Sequence, residues 1–197
     1  MKKIPTLFER VYENHKICGI NETVTPGMEW VLRGEGIATV KMDGSCCAVM
    51  DGKFYRRYDA KRGKKPPKSA IPCCEPDPVT GHWPHWLPVN EEDKGDQWLC
   101  AAYRNTLVQQ DGISGSSALT DGTYEAIGPH FQANPYKLEQ DVLEKHGARI
   151  LTDVPRDFCG IRTYLGEHNI EGIVFWKDNE PQCKIKRTDF GFKWPAE

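Results

Sequence analysis

The chain has no apolar run long enough to cross a membrane as a helix, and Met1-Lys2-Lys3-Ile4-Pro5 leads into no signal-peptide core. A cytoplasmic location is the expectation, with the nucleus included for a eukaryotic source. Internal repeats and low-complexity tracts are absent, and the mixed charges and plentiful apolar residues exclude a disordered chain. No Cys-x-x-Cys occurs among the eight cysteines, so dithiol redox chemistry is not indicated. Nor does one sign of charge dominate. The formal net charge is −2, so the chain as a whole lacks the electrostatic signature of a nucleic-acid binder.

What is present begins with 197 residues, enough for a proper core. The expectation is one monomeric domain spanning 1–197, with a Pro/Cys/His/Trp-rich insertion at about 64–95. Locally the charge is uneven. Arg56, Arg57, Lys61, Arg62, Lys64 and Lys65 follow one another with Asp59 the lone acid among them, while acids gather at Glu91-Glu92-Asp93. Such a basic segment can track a phosphate backbone, or it can be a solvated loop; composition alone leaves both open. Cys46-Cys47 falls in a strand pattern, where neighbours point to opposite faces and do not pair with each other. Reduced, core-filling thiols are therefore expected.

The order of elements reads as α+β, mainly antiparallel sheets with flanking helices. Leu7–Tyr12 is a strand or a short helix. Gly36–Val40 is a strand delivering Lys41, and Asp51-Gly52 turns Ala48–Met50 into Phe54–Tyr58 as a hairpin. Trp98–Val108 is a helix or a helix–strand pair, and Gly122–Gly128 a strand. Leu138–His146 reads as an amphipathic helix stopped by Gly147. Arg149–Leu151 is a strand, Arg156–Leu165 a helix, and Glu171–Trp176 with Cys183–Arg187 a pair of strands joined by Lys177–Glu180.

Ionisable residues stand on several of these strands where apolar ones would be expected. Lys41 ends a buried-looking strand beside the Asp43-Gly44 turn, an arrangement suited to covalent use of that lysine on a nucleotide. Glu125 lies within a strand and Glu171 begins one. Lys184 and Lys186 alternate, so both leave the same face. Singly, each is ordinary solvated surface or edge protection. Together they form a coherent set: two lysines for phosphate, two carboxylates for a divalent metal and a ribose hydroxyl, and one lysine to attack phosphorus. Cys73, Cys74, His82 and His85 offer zinc-ligand types. Adjacent cysteines are an awkward start for such a site, and a packed loop is preferred.

In order and spacing, Lys41-Met42-Asp43-Gly44, Glu125, Glu171-Gly172-Ile173-Val174 and Lys184-Ile185-Lys186 resemble motifs I, III, IV and V of the covalent nucleotidyltransferases. That superfamily holds polynucleotide ligases and mRNA capping enzymes. Further stretches resemble the ATP-dependent 5′-3′ RNA ligases of the animal RNA-repair type. They are Lys41–Cys47, Gly81–Val89, Ile127-Gly128 with Asn134-Pro135-Tyr136, and Gly191–Pro195. The resemblance implies a nucleotidyltransferase domain without an OB domain, and an enzyme that uses ATP and Mg²⁺ (or Mn²⁺). It would join RNA 5′-phosphate and 3′-hydroxyl ends through lysyl-AMP.

By that resemblance Lys41 takes AMP, and Lys184 and Lys186 contact the α-phosphate. Glu125 holds ribose, and Glu171 binds metal. Asp43 supports the turn or a metal-bound water, and Gly44 permits the turn. Arg57, or in competition Arg56, approaches ribose or the 5′-phosphate. RNA contact is expected from Arg56, Arg57, Lys61, Arg62, Lys64 and Lys65. The competing readings are a GTP-dependent capping guanylyltransferase, a DNA nick ligase and an inactive RNA-binding protein of the same fold.

Overall fold

The structure, a computed structural model, describes residues 3–14, 16–60, 63–78, 80–114 and 118–196, and of 110–114 the backbone only. Lys61 and Arg62 lie outside the described residues. Along the chain run strands β1 (Phe8–Glu13) and β2 (Lys16–Val24), the short helix α1 (Glu29–Leu32), then β3 (Ile37–Lys41), β4 (Ser45–Met50) and β5 (Lys53–Ala60). Strands β6 (Ile71–Pro72) and β7 (Trp83–Pro88) precede helix α2 (Gln97–Ser114), followed by β8 (Gly122–Ile127), β9 (Val142–Lys145) and β10 (Ile150–Leu151). Helix α3 (Phe158–Glu167), β11 (Gly172–Lys177) and β12 (Glu180–Lys186) close the order. Every strand-to-strand pairing in the sheets is antiparallel, so the α+β class is as expected. Among the described residues no helix is long and apolar enough to cross a membrane.

Two compact units divide the chain. The first is built on Asp43–His146. Its six-stranded sheet has the order β6-β7-β5-β4-β8-β9. The β4–β5 turn forms as expected, because Asp51 (φ 50°) and Gly52 (φ 69°) take the left-handed conformations a two-residue hairpin requires. Alternation along β4 sends Cys47 and Val49 to one face, where Leu99 and Ala102 of α2, Tyr124, Ala126 and Leu143 complete a core. Ala48 faces the other way, with Tyr55 and Trp86.

Two expectations in this unit are corrected. Leu138–His146 is not a helix: Val142–Lys145 is strand β9, registered Glu125↔Glu144 and Tyr124↔Lys145 against β8. The unpaired edge of β8 captures a segment whose few apolar residues fit either period. Asp141, which could have capped a helix, instead meets His130 Nδ1 at 2.7 Å. The 64–95 insertion is not only a packed loop without regular hydrogen bonding. Its Trp83–Pro88 segment is β7, sandwiched between β6 and β5.

The second unit takes Lys3–Met42 and Gly147–Glu197. It contains the β1–β2 hairpin and a four-stranded sheet of order β10-β3-β11-β12. Its core comprises Leu7, Phe8, Val31, Ala38, Ile161, Leu165, Ile173, Phe175, Cys183 and Ile185 with their neighbours. Each fully buried Leu, Phe, Val or Ile side chain among them contributes about 1.5–3 kcal/mol. Helix α3 starts where Asp157 accepts the Gly160 N–H at 2.8 Å, and it buries Ile161 and Leu165, one turn apart, on the sheet. Because Ala38, Ile173, Phe175, Cys183 and Ile185 face this core, the residues between them face away from it. Those are Thr39 and Lys41, Gly172 and Val174, and Lys184 and Lys186. That second face carries the chemistry.

Candidate active site

On the second face of the four-stranded sheet, Lys41, Gly172 and Lys186 stand in one row across β3, β11 and β12. Thr39, Val174 and Lys184 form the next row. Gly172 keeps the first row open. A Cβ there would overlap the Ile185 carbonyl and come within 3.0 Å of Lys186 Cα. Glu171, at the head of β11, is buried and accepts from both neighbours: Lys41 Nζ lies 2.5 Å from Oε2 and Lys186 Nζ 2.8 Å from Oε1. Its side chain is 4% exposed, against 19% for Lys41 and 32% for Lys186. The backbone locks this corner as well, with Arg187 N–H donating to the Glu171 carbonyl at 2.8 Å.

Lys184 carries the clearest electrostatic signature. Burial, reinforced by the positive charges of Lys41, Lys186, Arg10 and Lys3, brings its ammonium down to about 8. Three lysines against one carboxylate leave this face positive, a surface suited to a phosphate-bearing ligand. The expected quartet Lys41, Glu171, Lys184 and Lys186 is thus gathered on one sheet face. Glu171 offers hard oxygen donors of the kind Mg²⁺ selects, although both of its oxygens here accept from lysines.

In the first unit the Asp43-Gly44 turn is held by its amides. Asp43 N–H donates to Tyr136 Oη at 2.6 Å, Gly44 N–H to Glu125 Oε1 at 3.1 Å, and Gln132 Nε2 donates to the Gly44 carbonyl at 3.3 Å. Glycine is required at 44 by close approach and not by a left-handed φ. A Cβ would overlap the Ala126 carbonyl and lie 2.8 Å from Ile127 Cγ2. Glu125 is paired at its other oxygen with His146 Nε2, 2.8 Å away, and His146 Nδ1 meets Thr123 Oγ1 at 2.9 Å. His146 carried no local signal in the sequence, since its partner lies 21 residues upstream on a neighbouring strand.

Strand alternation separates the two competing arginines. Arg56 is registered with Cys47, whose face packs on α2, and its Nε lies 2.8 Å from the buried Asp96 carboxylate without hydrogen-bond alignment. Arg57 therefore leaves by the opposite face, that of Cys46 and Glu125, and its Nε meets Asp59 Oδ1 at 2.9 Å. Beyond β5, exposed Lys64 and Lys65 line an open basin of about 350 Å³ with Ala60, Gly63, Pro66, Gly81 and Trp83. Arg56 and Arg57 thus leave β5 by opposite faces.

Cys73, Cys74, His82 and His85 do not form a metal cluster among the described residues. His82 Nε2 pairs with Asp59 at 3.3 Å, His85 Nδ1 donates to the Trp83 carbonyl at 2.9 Å, and Cys73 packs on the Ala48–Tyr55–Trp86 cluster. All eight cysteines are free thiols.

No family model matches the chain. Curated relatives do: RNA ligase 1 of Rattus norvegicus is 26% identical over 222 residues, covering 81% of this chain and 68% of that protein. RNA ligase 1 of Mus musculus is 25% identical over 227 residues with the same coverage. This chain is a distant relative of animal RNA ligase 1. The Danio rerio RNA ligase 1 is 29% identical over a shorter stretch of 139 residues, 59% of this chain and 43% of that protein. The chain therefore spans about two thirds of the rodent relatives and less than half of the fish one.

Proposed function

We propose that the chain is an ATP-dependent RNA ligase built on a nucleotidyltransferase fold, which stores AMP on Lys41. The observation that carries the reading is the ion-paired cluster of Lys41, Glu171 and Lys186 with Lys184 beside it; kinship to animal RNA ligase 1 supports the reaction class. Lys41 Nζ attacks the α-phosphorus of ATP. An N–P bond forms, the P–O bond to pyrophosphate breaks, and the amine sheds a proton. Before attack the Lys41 ammonium must lose a proton to free its lone pair, and Glu171 Oε2, in hydrogen-bond contact with it, would accept that proton. Lys184 and Lys186 offset the charge building on the α-phosphate.

An oxygen of an RNA 5′-phosphate then displaces Lys41 from AMP. A 3′-hydroxyl attacks that 5′-phosphate, expelling AMP and sealing the strand. Glu125 is proposed to hold a ribose hydroxyl, and Arg57 to meet ribose or the 5′-phosphate. Arg57 is chosen over Arg56 because it shares a face with Glu125. Mg²⁺ (or Mn²⁺), with Glu171 among its ligands, would neutralise triphosphate charge. Lys64 and Lys65 supply phosphate-backbone contacts.

Incubation with labelled ATP or GTP, followed by RNA or DNA bearing a 5′-phosphate and a 3′-hydroxyl, tests the reading. Covalent label from ATP and joined RNA are expected. Label from GTP alone, or joining of DNA alone, contradicts it.

A further inference from the structure

Among the described residues, one cluster outside the lysine row combines three donor types. Cys46 and Glu125 are direct cross-strand partners on β4 and β8, and His146 follows β9 with its N–H on the Thr123 carbonyl at 3.0 Å. A sulfur, a carboxylate oxygen and an imidazole nitrogen thereby come within 4.8 Å of one another. We propose that Cys46, Glu125 and His146 form a binding site for a thiophilic divalent cation of the zinc class.

The donor set decides the class of ion. Thiolate with imidazole and carboxylate suits zinc and excludes a magnesium-type site. A tetrahedral zinc ion with bonds of roughly 2.0–2.3 Å sets its donors about 3.5 Å apart, so Cys46 Sγ has to approach by up to about 1 Å while Glu125 Oε2 and His146 Nε2, now 2.8 Å apart, separate slightly to admit the ion. Their outer contacts match what a metal centre needs. His146 points Nε2 at Glu125 and rests Nδ1 on Thr123 Oγ1, the arrangement that fixes ring orientation and tautomer in a histidine ligand. Glu125 gives Oε2 to the cluster, while Oε1 is steadied by the Gly44 amide. Glu125 and His146 side chains remain 12% and 15% exposed, which leaves access for the ion and a fourth, solvent ligand. On binding, Cys46 loses its S–H proton to solvent, and the imidazole proton moves from Nε2 to Nδ1.

The site stands on this geometry alone. Only one consequence rests on the ribose role proposed for Glu125: an ion at this carboxylate competes with ATP.

Cobalt(II) titration of the metal-free full chain is the test, read by the near-ultraviolet sulfur-to-cobalt band and by metal analysis after gel filtration. The expectation is one equivalent per chain with a thiolate band. The band disappears in Cys46→Ser, affinity falls at least about tenfold in His146→Gln, and both signals are unchanged in Cys73→Ser. Should Cys46→Ser fail to fold, His146→Gln decides. Absence of the band in the wild type, its survival in both ligand variants, or its loss in Cys73→Ser overturns the proposal and leaves a hydrogen-bonded Glu–His pair beside a thiol. Zinc inhibition of ATP labelling, relieved in His146→Gln, tests the consequence separately. A chain that binds cobalt as expected but never labels with ATP defeats the ligase reading and not this one.

Discussion

Lys41 Nζ lies 2.5 Å from Glu171 Oε2, and both residues are largely withdrawn from solvent. The same carboxylate reaches Lys186 through its second oxygen. One buried acid thus holds two lysines at the positions where phosphate is expected.

Replacing that acid leaves two clustered ammonium groups without their counter-charge. Glu171→Gln is expected to lower stability by about 1–3 kcal/mol, less than for a fully buried pair because the lysines retain some solvent contact. Lysine adenylylation falls at least roughly 10²-fold. Urea unfolding and labelling with ATP measure the two effects; an unchanged labelling rate contradicts the role given to Glu171.

Lys184 makes stability depend on pH. With its ammonium brought down to about 8, the folded chain binds fewer protons at this site than the unfolded chain between pH 8 and the ordinary lysine value of 10.5. The penalty is full below pH 8, and stability contributed here rises with pH across that window. Lys184→Met removes the penalty. Its Tm advantage over wild type is expected to be largest near pH 7 and to shrink steadily above pH 8. A difference that stays constant with pH contradicts this, and ATP labelling by the variant is expected to fall roughly 10²-fold.

Gly172→Ala forces a methyl group into the Ile185 carbonyl between two strands. A stability loss of about 1–3 kcal/mol is expected in urea unfolding, together with weaker ATP labelling because Lys41 and Lys186 flank this position. A variant as stable and as active as wild type would show that the row tolerates a side chain at its centre.

Lys64→Glu with Lys65→Glu is expected to weaken RNA binding across sequences and to flatten the salt dependence by about one unit of slope per lysine. ATP labelling without RNA changes far less. An unaltered salt slope places the RNA elsewhere on the molecule.

Much of the second sheet could be read from the sequence, because Lys184 and Lys186 alternate with Cys183 and Ile185 and the Asp178-Asn179 turn takes its left-handed φ values of 55° and 61°. Strand β9 could not. Its short apolar pattern fits a helix as well as a strand, and the choice is made by the edge of β8, through contacts such as His146 N–H to the Thr123 carbonyl. Strand β7 was hidden by its prolines, which usually mark loops and sheet edges. On sequence grounds Gly44 permits the turn, whereas the reason that glycine is needed there, the approach of Ala126, is a tertiary contact. Cys46 looked like core filling; its position beside Glu125 and His146 emerges only when three strands are aligned.

The most direct measurement is intact-mass and peptide mass spectrometry of the wild-type chain and Lys41→Ala after incubation with ATP and Mg²⁺. A mass increase of one AMP, mapped to Lys41 and absent from the alanine variant, is the predicted result. An AMP adduct on another residue, or one formed at wild-type level by Lys41→Ala, would contradict the account.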